Sequence, residues 1–181
     1  MSESSLPPAG KWTIDTVHSG VNFSVRHMVA AKVRGRFNSF SGTLDIADPI
    51  ENSKVEVNID AASFDTGTTQ RDDHVRSADF LDVENYPTIT FKTESLKLDG
   101  DDHGRLNGLL TLRGKSVPVE LEVEFLGTEK HPDGSVRAGF SATTELDRDD
   151  FGVSWNAVLE TGGLMVGKKV KVEIDIEAVK V

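Results

Sequence analysis

The chain has 181 residues with 30 acidic and 20 basic side chains, a net charge of −10, so it lacks the Lys and Arg surplus with which proteins neutralise nucleic-acid phosphates. It contains no Cys, which excludes disulfides, thiol nucleophiles and thiolate metal sites together. At this length one domain with a substantial core is the economical reading.

The first ten residues, MSESSLPPAG, show no basic region followed by an apolar run, so no secretory signal is visible. The expectation is a cytoplasmic protein with a disordered tail over 1–10 and a single domain over 11–181. No apolar run approaches the ~20 residues of a membrane-spanning helix. Trp12 to Val17 reads as a first strand, and in a second Val21, Phe23 and Val25 alternate with Asn22, Ser24 and Arg26, giving one apolar and one wet face. Alternation resumes from Val33 to Phe37 and from Phe40 to Ile46. The change of parity between them predicts a bulge or kink at Asn38 and Ser39. Val55, Val57 and Ile59 continue the pattern.

The stretch QRDDHVRSADFLDVENYPTITF, residues 70–91, interrupts the alternation and predicts a short helix over about residues 69–79. Thr69 is placed as N-cap, with Asp72 and Asp73 in a first turn where the helix dipole favours carboxylates. Arg76 follows Asp72 by four residues and is expected to pair with it. Val75, Ala78 and Leu81 form a narrow apolar stripe that needs packing to persist. Pro87 then opens a strand, where its missing N–H costs least.

Ile89 and Phe91 start that strand, which changes parity before Leu96 and Leu98; DGDDHG is a polar turn. Leu106 to Leu112 leads through Arg113, Gly114, Lys115 and Ser116, with Gly114 suited to a type II′ turn, into the strand Val117 to Phe125. A second hairpin turns at residues 131–134, HPDG, before Val136 to Ala142. An irregular link, Asp147 to Trp155, precedes the closing strand Val170 to Ile176. About eight antiparallel strands, one helix and no parallel crossover imply an all-β closed barrel or sandwich.

Several of these runs are recognisable together. WTIDTVHSGVNFSVRH (residues 12–27), RDDHVRSADFLDVENYPTITF (71–91), LTLRGKSVPVELEV (110–123), LDRDDFGVSW (146–155) and VGKKVKVEIDIEAVK (166–180) resemble the YceI-like family in order and spacing. The resemblance implies an extended antiparallel, eight-stranded lipocalin-like β-barrel, in many members a homodimer, whose apolar interior holds a polyisoprenoid or similar amphiphilic lipid. Many members also carry a secretory signal and work in the periplasm, a feature this sequence does not display.

Alternation alone fits a filled core as well as a ligand cavity, because an eight-stranded barrel is near the size at which either occurs; the resemblance favours the cavity. Parity and size select Phe23, Val25, Phe37, Phe40, Phe91, Leu110, Phe125, Phe140 and Trp155 as its apolar wall. For a polar head group, such as a prenyl pyrophosphate or a quinone-like ring, the candidates are Arg26, His27, Lys32, Arg34 and Arg36, because no carboxylate occurs between Asp15 and Asp45. The competing reading is that these arginines coat the solvent face of two strands and His27 is a satisfied inward histidine.

The five histidines lack ligand spacings such as HxH or HExxH, so no metal is expected. Catalytic residues are not assigned, since neither a Gly-rich phosphate loop before a helix nor a GxSxG nucleophile motif occurs. Two further readings stay open: a lipid-modifying enzyme using the acidic, His74-bearing helix, and an interaction protein with a filled interior.

Overall fold

The computed structural model describes residues 6–28, 31–157 and 165–181. The described strands are β1 (Gly10–Ile14), β2 (Gly20–His27), β3 (Ala31–Phe37), β4 (Phe40–Ile46), β5 (Lys54–Asp60), β6 (Phe64–Asp65), β7 (Thr88–Leu98), β8 (His103–Leu112), β9 (Lys115–Lys130), β10 (Val136–Asp147) and β11 (Val166–Lys180), with one α-helix, α1 (Thr69–Arg76). All pairings are antiparallel.

The sheet closes as an eight-stranded ring, β1-β4-β5-β7-β8-β9-β10-β11, because β1 pairs with both β4 and β11. A ribbon, β2-β3-β6, extends from the ring. Strand β11 supports both parts: it pairs with β2 from Val166 to Asp175 and with β1 from Ala178 to Lys180. The barrel thus has a lower end closed by β1 and an upper end walled on one side by the ribbon. The mostly-β, closed antiparallel barrel with a single helix agrees with the expected fold.

At the lower end the pleat sends alternate residues inward, as the strictly alternating burial of Phe40, Gly42, Leu44 and Ile46 against Ser41, Thr43 and Asp45 shows. Trp12, wholly buried, packs there with Leu44, Ile46, Ala138 and Ala178. Its indole Nε1 donates to the carbonyl of Pro8 at 3.1 Å, and Pro7 is buried. Leu6, Pro7 and the Pro8 carbonyl, all within the expected tail, are therefore held on the barrel; residues 1–5 lie outside the described chain.

Several local expectations are corrected. The first strand stops at Ile14, and Val17 stands 83% exposed where Asp15 Oδ1 accepts from its amide at 2.9 Å. The parity change after Phe37 is a change of strand, not a bulge, with Asn38 Nδ2 donating to Asp65 at the corner. Arg113 and Gly114 both have positive φ, 51° and 72°, so the two-residue turn is type I′ rather than II′. The parity switch in β7 is present as a register shift between Thr93 and Ser95.

Helix α1 is one turn shorter than expected, ending at Arg76, and its N-cap is Thr68 rather than Thr69. Its single apolar residue is Val75, so polar anchors, not an apolar stripe, hold it. Asp72 is buried and accepts from the Thr66 amide at 3.1 Å. Arg76 consequently pairs with Asp73, at 3.0 Å, instead of Asp72, and donates to the carbonyls of Ala62 and Phe64. Ala78 is exposed, whereas Leu81 is buried.

Candidate functional site

The interior is hollow. The inward-facing residues of β9, Val117, Val119, Leu121, Val123 and Phe125, are all only half-buried, which side chains in a close-packed core would not be. They face void. A lower cavity of about 240 Å³ lies inside the ring, and an upper cavity of about 590 Å³ lies between the ribbon, α1 and the segment after β10. Both are lined by Val21, Phe37, Leu112, Leu146 and Val172, so the two meet at a shared neck. The upper one alone falls within the roughly 300–1,000 Å³ range of small-molecule sites.

All nine residues selected for the apolar wall line these cavities. Phe40, Phe91, Leu110, Phe125 and Phe140 face the lower one, Phe23, Val25 and Trp155 the upper, and Phe37 both. Two aromatic clusters shape the upper chamber. In one, Phe23 stacks on Phe64 with centroids 5.0 Å apart while Phe37 meets Phe64 edge-on at 5.7 Å. In the other, Trp155 meets His74 edge-on at 4.7 Å and Phe80 at 5.3 Å. Leu6 and Pro7 contribute to the lower chamber, a role that a disordered tail would not have.

The expected head-group set divides. Arg26 and His27 line the upper cavity, whereas Lys32, Arg34 and Arg36 are exposed and line neither cavity. Alternation explains why the last three lie outside. These three have opposite parity to Val33 and Phe37, so when Phe37 faces inward they face out.

Two cations at the cavity were missed. Arg71 lines the upper chamber, its guanidinium held by Thr66 Oγ1 at 2.8 Å and Thr68 Oγ1 at 3.2 Å. Arg148 is buried against the same chamber and donates to four carbonyls, those of Gly167, Val153, Trp155 and Val166, at 2.8–3.2 Å. Burial pushes its pKa down, opposed by Asp149 and Asp147, and an arginine so placed stays charged. It also stands 5.9 Å over the Phe80 ring. The sequence signal for Arg148 is only its place in LDRDDFGVSW, a run without periodicity. His74, on which the enzymatic reading rests, bonds Asp79 through Nε2 at 2.8 Å and lines the upper cavity.

No carboxylate lines the upper chamber among the described residues, while Arg26, Arg71 and Arg148 do. In a chain of net charge −10 this is a locally positive opening to an apolar interior. Away from it, the fold gathers Asp15, His18 and Glu177, a group that sequence spacing did not show. Arg137 Nη1 bridges the two carboxylates at 2.7 and 2.8 Å and so supplies the positive charge there.

Known proteins share this sequence and architecture. Residues 12–178 match the YceI-like domain. A UPF0312 protein of Vibrio cholerae serotype O1 is 41% identical over 149 residues, covering 80% of this chain and 78% of its own. One from Staphylococcus epidermidis is 34% identical over 169 residues, covering 92% and 96%. Among solved structures, Burkholderia cenocepacia BcnA superposes with a TM-score of 0.80 at 23% identity, over 91% of this chain and 98% of that one. A Campylobacter jejuni YceI protein gives 0.74 at 27% identity, over 86% and 90%. A polyisoprenoid-binding domain from Saccharophagus degradans, implicated in plant cell wall breakdown, gives 0.68 at 18% identity, over 94% and 98%. With the family match spanning nearly all of the barrel and the fold shared throughout, the chain belongs to the YceI-like family.

Proposed function

We propose that this protein binds a polyisoprenoid-type lipid without transforming it, with the tail running through the neck into the ring and the head at the positive upper chamber. The observation that carries the reading is the pair of contiguous apolar cavities with inward side chains left half-buried around them. The name of the Saccharophagus domain supports the same ligand class.

Each buried methylene contributes ~0.8 kcal/mol, so the wall alone can retain a branched hydrocarbon tail, although affinity per atom falls as ligands grow. Such a wall discriminates weakly among tails and leaves the choice of lipid to cavity length and head group. Arg26 and Arg71 at the upper chamber favour an anionic head, a prenyl pyrophosphate above a neutral quinone, because guanidinium pairs with phosphate oxygens, and Arg148, whose N–H groups are mostly taken by carbonyls, adds its charge.

Uptake of a fluorescent prenyl pyrophosphate analogue tests the wall. Phe23→Asp in the upper chamber and Phe140→Asp in the lower should each abolish it. Wild-type uptake in either correctly folded variant would contradict the assignment. Lipid recovered chemically unchanged after long incubation is the expected result for a carrier, and conversion that disappears in His74→Ala would favour the enzyme instead.

A further inference from the structure

The outer face of the β2–β3 ribbon is basic in an acidic chain. Alternation that turns Phe23, Val25 and Val33 toward the upper cavity turns Lys32 and Arg34 to the other side, while Arg26, exposed near the end of β2, stands on the rim between the two. Register sets Arg26 beside Lys32, and places Ser24 between Arg34 and Lys171 of β11. Arg26, Lys32, Arg34 and Lys171 are exposed, and no side-chain hydrogen bond or ion pair joins any of them to another described residue. The nearest acidic positions by register are Glu145, opposite Lys171, Glu173, two residues along β11 on the same face and opposite Asn22, and Asp65, opposite Arg36. Among the described residues the paired rows Arg26–Lys32 and Ser24–Arg34 therefore have no acidic cross-strand partner, whereas Lys171 faces Glu145.

Two further observations fall on the same rim. Met28, next to His27 at the end of β2, is 46% exposed with φ 53°, and its amide is tied to the Met165 carbonyl at 2.8 Å. This presents a flexible, polarisable apolar side chain just beyond the Arg26–Lys32 pair. Arg26, His27, Val33 and Met165 also line the upper cavity, so the basic face borders the opening. A polyanion such as nucleic acid would use the charges but neither Met28 nor the opening. A lipid surface uses all three.

We infer that the β2–β3 ribbon docks the cavity mouth against an anionic lipid surface, with Arg26, Lys32, Arg34 and Lys171 over the head groups and Met28 entering the interface. The inference rests on the lipid-carrier reading in one respect: a water-insoluble tail must be collected from, or delivered to, a membrane. Each basic side chain near such a surface strengthens binding about fivefold, an attraction that fades within a Debye length.

The test is co-sedimentation of the full chain with phosphatidylcholine vesicles and with vesicles of phosphatidylcholine and phosphatidylglycerol in equal parts. The wild type should sediment with the anionic vesicles only. Lys32→Glu/Arg34→Glu should weaken this by more than about tenfold, with Lys32→Gln/Arg34→Gln intermediate and Met28→Ser also weaker. Lys97→Glu/Lys130→Glu, the same charge change on strands at the lower end, should match the wild type. Equal loss in that control pair, equal binding to neutral vesicles, no sedimentation of the wild type, or binding to a duplex oligonucleotide in place of vesicles would each overturn the inference. Uptake of the prenyl analogue from detergent separates the two readings. Charge variants that load normally from detergent but sediment poorly support docking, whereas a wild type that sediments but never loads contradicts the carrier reading alone.

Discussion

Asp72 and Thr66 are joined twice: the buried carboxylate accepts from the Thr66 amide at 3.1 Å and also from its hydroxyl. These bonds fasten the start of α1 to the end of β6, and Thr66 Oγ1 in turn receives Arg71 Nε. Asp72→Ala would leave a half-buried amide unpaired and release Arg71 from its position, at a cost of ~2–4 kcal/mol given that hydrogen bonds to charged groups contribute ~1.5–3 each. Urea unfolding should show the lower midpoint, with Asp72→Asn losing less.

Arg148 joins the segment after β10 to the start of β11 through four carbonyls. Arg148→Met keeps an unbranched apolar stem but removes the donors to the Gly167, Val153 and Trp155 carbonyls, Asn156 still serving that of Val166, so it should destabilise by at least ~3 kcal/mol. Arg148→Lys should recover little, since an ammonium cannot reproduce the planar fork of donors. Thermal unfolding measures both. Under the proposed function, the folded fraction of Arg148→Met, which loses the charge, should also bind anionic prenyl lipids less well relative to neutral ones, while Arg148→Lys should not.

The cluster of Asp15, His18, Arg137 and Glu177 gives a pH dependence with a definite sign. The His18 hydrogen bond, with smaller help from Arg137, holds Asp15 below the usual carboxylate range, and Asp15 in turn raises the pKa of His18. A depressed Asp15 contributes stability above its unfolded pKa, about 3.9, that is lost as pH falls toward its folded value. A raised His18 contributes stability below its unfolded pKa, about 6.5, that is lost as pH rises through its folded value. The stability difference between wild type and Asp15→Asn should therefore be largest between about pH 4 and 6.5 and shrink on either side. Its size should be modest because His18 is exposed. Denaturation midpoints across pH check this, and a difference that grows steadily to pH 9 would contradict it.

The neck offers a test of tail length. Val172 lines both cavities, and Val172→Trp would fill the passage at an overpacking cost of ~1–3 kcal/mol. The folded variant should retain short prenyl chains in the upper chamber and reject long ones. Competition between short- and long-tailed analogues measures this.

Much of the wall was legible because it depends on a local rule. Period-two alternation is fixed by the pleat, so Phe23, Phe91 and Phe140 could be assigned inward from neighbours alone. Whether the inward residues meet one another or a void is not local. Alternation in β9 reads the same in both cases, and only the spacing across the closed ring separates them. The polar site was less legible. Lys32, Arg34 and Arg36 drew attention by clustering although their parity already turned them outward. Arg71 and Arg148 lacked any period: the first depends on how Asp72 and Arg76 pin a short helix, the second on carbonyls contributed by two segments. The Asp72 to Arg76 pairing failed for the same reason, since burial against Thr66 claimed the carboxylate first.

The central claim is that the two apolar chambers hold one prenyl-type lipid. Native mass spectrometry of the gently purified chain, followed by organic extraction and identification of what is released, tests it most directly. The account predicts a single polyisoprenoid-tailed molecule per chain, with uptake of added prenyl pyrophosphate by any empty fraction. A protein that carries no lipid and binds none of the added prenyl lipids would contradict it.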